Sequence, residues 1–232
     1  MKSILFKGLF VLVALSACES GVLGGDGLGI SLSRYAPERV RVSGNDVVIA
    51  GPQGFCIDPT ETKDDAKSSF VLLGSCAAIS KSRFKPRPKV PAILMATVST
   101  KNDSAPIAAS MKALAGFFKS EAGRVALSRD GKAGTVEVID TLGKGGVFYI
   151  HARDSSTGTL AGAGDEYWRA LFDVKGRIVS ASVVGLEERP ISTRAGFSTL
   201  NAFVSRIVNE NPPATQQIEG NKPAPSIPKR LY

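Results

Sequence analysis

The chain has 232 residues, of which 43% are hydrophobic and 22% charged, and it carries a formal net charge of +8. Those fractions lie in the ordinary globular range and exclude a chain that is disordered throughout. The basic excess is moderate, and with both flexible ends set aside roughly 170 residues remain, enough for one well-buried domain and too few for two.

The first residues do not belong to that domain. Met1, Lys2 and Lys7 lead into an uninterrupted apolar stretch from Leu9 to Leu15, far below the ~18 residues a membrane-spanning helix needs. A basic start, a short apolar core and the small residues Ser16 and Ala17 predict a removable secretory signal over residues 1–17. The closing run Leu15-Ser16-Ala17-Cys18 resembles the lipobox of bacterial lipoproteins. That resemblance implies cleavage before Cys18, diacylation of its thiol and acylation of the new amine; the alternative is an ordinary signal-peptidase site. Each buried methylene contributes ~0.8 kcal/mol, so two or more chains anchor stably where one binds reversibly. The implied address is the bacterial cell envelope, lipid-anchored and facing the periplasm. Glu19 follows the cysteine, where enteric lipoproteins use Asp for inner-membrane retention, and so favours the outer membrane. Without residues 1–17, 27 basic and 21 acidic residues remain.

The oxidising compartment so implied bears on Cys56 and Cys76, the remaining cysteines. A structural disulfide is expected, closing a loop of about 20 residues for roughly 3 kcal/mol. The alternatives are a redox couple, against which the wide spacing speaks, and two separate thiols.

Residues 18–38 are glycine-rich with little apolar periodicity and read as a flexible tether. The globular domain is expected over 39–211. Val40 and Val42, then Ser43-Gly44-Asn45-Asp46 and Val47-Val48-Ile49-Ala50, predict a β-hairpin. Asp58 as cap, Pro59 at the first helical position and Glu61 predict a short helix before Lys67. Phe70 to Leu73 and Ala92 to Thr100 read as buried strands. Ser104 is a candidate cap for a helix whose face carries Ile107, Met111, Leu114 and Phe118, with Gly123 as a left-handed stop. Two hairpins follow, Thr135–Thr141 with Val147–Ala152, and Tyr167–Phe172 with Arg177–Val184. Leu200, Phe203, Val204, Ile207 and Val208 recur at the helix period, and Pro212-Pro213 ends that helix. Residues 212–232 read as a disordered, proline-rich tail.

Mostly antiparallel strands with two long amphipathic helices give an α+β class, the helices covering the sheet. A small lipocalin-like barrel is the rival, and helices of this length count against it. The order of elements over Arg39 to Asn211 resembles the PsbP-like fold. Its members are mostly accessory or assembly factors that bind other proteins, and no site residue carries over.

Residues able to do chemistry are sparse. His151 is the one histidine in the chain and stands in a strand with no G-x-S-x-G elsewhere, so it reads as a strand residue with a hydrogen-bond partner. One histidine and two paired cysteines do not make a zinc site. Asp165 with Glu166, and Glu187 with Glu188, are adjacent pairs whose members point to opposite faces of a strand, and Asp64 and Asp65 read as a solvated helix face. Catalytic, cofactor and metal residues are therefore expected to be none. Lys81, Arg83, Lys85, Arg87 and Lys89 lie on a proline-stiffened loop without a negative charge, suited to an anionic surface; nucleic acid is out of place in this compartment. The expectation is a non-enzymatic binding or accessory module that meets an envelope protein or an anionic envelope component. The alternatives are an envelope hydrolase and a carrier of a small apolar ligand.

Overall fold

The computed structural model describes residues 35–101, 103–156 and 162–213. The expected signal, Cys18, most of the tether and nearly all of the expected tail lie outside them.

Among the described residues, ten strands and four α-helices follow one another. Strands β1 (Arg39–Val42) and β2 (Val47–Ala50) form a separate hairpin, with Ser43, Gly44 and Asn45 at positive φ in its turn. Next come β3 (Phe55–Ile57), β4 (Lys63–Asp64), β5 (Ser68–Ser75), helix α1 (Cys76–Ile79) and β6 (Ala92–Ser99). Helices α2 (Ile107–Lys119) and α3 (Glu121–Leu127) lead to β7 (Val136–Lys144), β8 (Val147–Asp154), β9 (Ala163–Val174) and β10 (Arg177–Leu186), and α4 (Thr193–Glu210) closes the domain. The main sheet is antiparallel with strand order β3-β5-β6-β10-β9-β8-β7, β4 also pairing with β5. After β6 the chain crosses through α2 and α3 to the far edge and returns as a meander, so that β10 lies beside β6. The described sheet has two edges, β3 and β7, so it is open rather than a closed barrel, and the α+β class holds.

Period-two alternation gives each strand two destinations. Leu73, Leu94, Ala96, Phe172, Val179 and Val183 point to one side, where they pack with Leu200, Phe203, Val204 and Ile207 of α4 and with the β1–β2 hairpin. Ile150, Ala152 and Tyr167 point to the other side and meet Ile107, Phe118 and Leu127 of α2 and α3. Asn211, buried at the end of α4, locks the first layer. Its Nδ2 donates to Val48 O at 2.7 Å and its Oδ1 accepts from Val48 N at 2.9 Å.

Three local expectations are corrected. Residues 58–67 form no helix: Asp58 Oδ1 accepts from Thr60 N and Oγ1, closing a turn that leads into β4. Asp64 consequently sits on a strand, accepting from Ser43 N at 2.8 Å and Ser69 Oγ at 2.6 Å. The α2 segment begins after Pro106, its Ile107 N donating to Asp173 Oδ2 at 2.8 Å. It ends at Lys119 rather than at Gly123, which lies inside α3. A Cβ at 123 would stand only 2.5 Å from Phe118 Cα, so that glycine permits the close approach of two helices instead of a left-handed stop.

Candidate functional site

Strand pairing between β8 and β9 builds the most chemically varied spot. His151 lies opposite Trp168 and Arg153 opposite Glu166, and alternation puts all four side chains on the α4 side of the sheet. The His151 and Trp168 rings consequently stack, centroids 4.4 Å apart and 2° from parallel. Glu166 is the diagonal neighbour of His151. Its Oε1 is 2.7 Å from His151 Nε2, and since a carboxylate only accepts, that nitrogen carries the proton while Glu166 is ionised. Arg153 Nη2 donates to Glu166 Oε2 at 3.3 Å, and Thr193 Oγ1, from the first turn of α4, donates to Oε1 at 3.3 Å. Burial works against the charge on Glu166, but the hydrogen bonds from His151, Thr193 and Arg153 together with the pull of the imidazole outweigh it. Its pKa is lowered from the usual 4.5. His151 thus has the hydrogen-bond partner expected of it, and at 5% exposure it lies behind Trp168.

Beside this quartet opens a cleft of about 550 Å³ between the end of β8, the start of β9, the end of β10 and the first turn of α4. Helix α4 presents its N-terminus here, with Ser192 Oγ accepting from Ala195 N at 3.3 Å. Gly162, Gly164, Gly185 and Gly196 are among the residues that line the cleft. Gly196 is there for a steric reason: a Cβ would stand 2.9 Å from Trp168 Cδ1. Trp168 is 8% exposed, and its Nε1–H has no hydrogen-bond partner. His151 stacks on the indole and Phe197 tilts against it, and the Cδ1–Nε1 edge of the indole lies against Gly196 of α4, with Nε1 itself buried.

The rim is stapled by Asp154, which is wholly buried and accepts from Arg129 N at 2.7 Å and Ser156 N at 3.0 Å. Burial alone would raise its pKa; these hydrogen bonds hold it below the ordinary value. Arg129 in turn donates through Nη2 to Gly164 O at 2.6 Å. Asp165, Glu166 and Glu187 all line the cleft. Opposite-face alternation does not separate the first two here, because the start of β9 forms the rim. Among the described residues no cluster of three or more His, Cys, Asp or Glu side chains is arranged to hold a metal.

The second site lies at the β3 edge. Cys56 and Cys76 are disulfide-bonded, with Cα atoms 4.7 Å apart, flanking a turn and two strands instead of the expected helix and strand. From Cys76 the chain passes through α1 into the basic loop, where Lys81, Arg83, Lys85, Arg87 and Lys89 are all exposed. None of them pairs with an acid among the described residues.

Sequence reasoning missed Trp168, Gly196 and the exposure of Phe84 within the basic loop. An aromatic residue in an alternating strand carries the signal of core, and nothing in its neighbours announces an unpaired N–H. No protein-family model matches the chain, and no curated protein shows significant sequence similarity to it.

Proposed function

We propose that this protein is a lipid-anchored envelope lipoprotein whose α+β domain is a non-enzymatic binding module, and that the cleft beside Trp168 takes up an extended segment of another protein. The observation that carries the reading is the unpartnered indole N–H of a buried tryptophan that lines the cleft. A buried donor left unsatisfied costs about 1–3 kcal/mol; because Nε1 lies against Gly196, an incoming acceptor recovers that cost by displacing the first turns of α4. A peptide carbonyl supplies such an acceptor. A sugar ring would want an aromatic face to lie on, and the Trp168 indole is already packed by His151 and Phe197. The order of elements that resembles the PsbP-like fold, with its protein-binding members, supports the same class of partner.

Trp168 is the only tryptophan in the chain, so one indole N–H cross-peak in a nitrogen–proton spectrum reports on the cleft. Short synthetic peptides tiling abundant secreted proteins should shift that peak. Trp168→Phe, which removes the donor and keeps a ring, should weaken the best peptide about tenfold while changing stability by less than about 1 kcal/mol. A peak that no peptide moves, or that moves only with glycan strands, defeats the peptide reading; cleavage of the peptide in the same tube would favour the hydrolase. The anchor is tested separately by intact mass, which should show a mature chain beginning at an acylated Cys18.

A further inference from the structure

The basic loop concentrates cations that have no acid beside them. Some arginines and lysines of the domain sit against acids, Arg39 and Arg206 on Glu210, Lys101 and Arg177 on Asp46, Arg153 on Glu137 and Glu166, and others, such as Lys112, Lys119 and Arg194, stand singly. Between Lys81 and Lys89 five cations stand without an acid. In their midst Phe84 is 87% exposed, with the Arg83 guanidinium 5.3 Å from its ring centroid. A large aromatic held in water among unpaired cations matches the two-part chemistry of an anionic bilayer surface, where basic heads meet headgroups and an apolar ring enters the acyl boundary.

The loop is held in shape before any contact is made. The disulfide fixes its base, Ala77 N donates to Pro86 O at 3.1 Å, and Ser82 N donates to Ala77 O at 3.1 Å. Gly54, at φ +86°, lets β3 pack directly on the loop backbone, since a Cβ there would stand 2.6 Å from Arg87 C and Pro88 N. Docking such a loop costs little ordering entropy. The placement is consistent too. Tyr35 shares a shallow depression with Lys81 and Ile79, and Ile57 N donates to Pro37 O at 2.7 Å, so residues 35–37, the first of the described chain, lie along the same edge as the loop.

We infer that the Lys81–Lys89 loop is a second membrane contact, docking on an anionic bilayer with Phe84 inserted at the headgroup boundary. The inference rests on the membrane-anchored reading for its cellular setting alone, because the contact is testable without the anchor. A chain starting at Glu19 keeps every described element and carries no acyl group. It should sediment with vesicles of equal parts phosphatidylglycerol and phosphatidylcholine and not with phosphatidylcholine alone. Replacing Lys85, Arg87 and Lys89 by Gln together should weaken binding by about thirtyfold or more, at up to about fivefold per cation, and Phe84→Ser by about fivefold. In a Trp168→Phe background, Phe84→Trp should shift its emission to the blue on those vesicles. An unmoved Trp168 indole cross-peak in the variants that retain it shows that the domain is intact. Equal binding to neutral vesicles, binding indifferent to the three cations, release by excess inorganic phosphate at constant ionic strength, or a fully water-exposed Trp at 84 would each overturn the inference. Failure to find acyl groups on Cys18 would sink the anchor while leaving the vesicle result standing, and loss of vesicle binding would do the converse.

Discussion

The two candidate sites lie on different parts of the domain and treat charge in opposite ways. At the cleft, Arg153 pairs with Glu137 and Glu166, Glu166 also accepts from His151, and the buried groups left without partners are uncharged, Trp168 Nε1–H and Ser156 Oγ. At the β3 edge, five cations are left over on a loop whose backbone is tied by hydrogen bonds at Ala77, Lys81, Ser82 and Lys85 and by the disulfide at its base. Charge counts alone would rank these regions wrongly. What marks a surface as waiting for a partner is the group whose pairing is unfinished, since paired surface ions contribute little and a buried unpaired donor costs much.

The largest expected effect separates the two regions. Replacing Cys56 and Cys76 by Ser removes a cross-link spanning 20 residues, worth about 3 kcal/mol in the chain-entropy account. The loss should be local: amide exchange should quicken across the β3–β5 pairs from Phe55 to Ser75, and vesicle binding through the basic loop should fall, while the Trp168 cross-peak stays in place. A Trp168 peak that moves with the disulfide would show that cleft and loop share one cooperative structure and would break the comparison.

How much of this was legible beforehand follows the same divide. The hairpins β7–β8 and β9–β10 were readable because alternation and glycine turns coincide, with Gly145, Gly146 and Gly176 all at positive φ. Helix α4 was readable only from Leu200 onward. Its first two turns, Thr193 to Thr199, border the cleft and lack the continuous apolar stripe that would have announced them. The expected helix after Asp58 shows the weakness of cap signals without an apolar stripe: the aspartate closes a turn on Thr60 with the same oxygen that would have capped a helix. The basic loop was visible in the sequence, but Phe84 at 87% exposure was not, because an isolated phenylalanine is read as buried by default. The cleft was invisible, since it depends on the stacking of His151 on Trp168 across two strands.

Gly196→Ala tests the cleft wall at a smaller scale. In an exposed helix this change would gain about 1 kcal/mol in propensity. Here the added methyl meets Trp168 Cδ1 at 2.9 Å and Ile191 Cδ1 at 3.5 Å, a crowding that costs about 1–3 kcal/mol. Thermal unfolding should therefore show a net loss of about 1 kcal/mol, accompanied by a displaced indole cross-peak and weaker peptide binding. Vesicle binding should be untouched. A stabilised Gly196→Ala protein with an unshifted peak would mean that the indole does not lean on the helix, and the cleft as drawn would be wrong.

The smallest effect expected is the pH response of Glu166, and its sign is fixed by the network around it. Its folded pKa lies below the usual 4.5 because the hydrogen bonds from His151, Thr193 and Arg153 favour the ionised form more than burial opposes it. A carboxyl group depressed on folding binds its proton more readily in the unfolded chain, so stability is gained above that usual value and lost as the pH falls through the folded one. Melting temperatures measured from neutral to acid pH should show the wild type ahead of Glu166→Gln above about pH 4.5 and the two curves converging below it. The gap should be modest, since the carboxylate is partly open to solvent and screened. Parallel curves across the whole range would mean that Glu166 is not held by the imidazole and the guanidinium, and the paired network assigned to the cleft would give way to a free carboxylate.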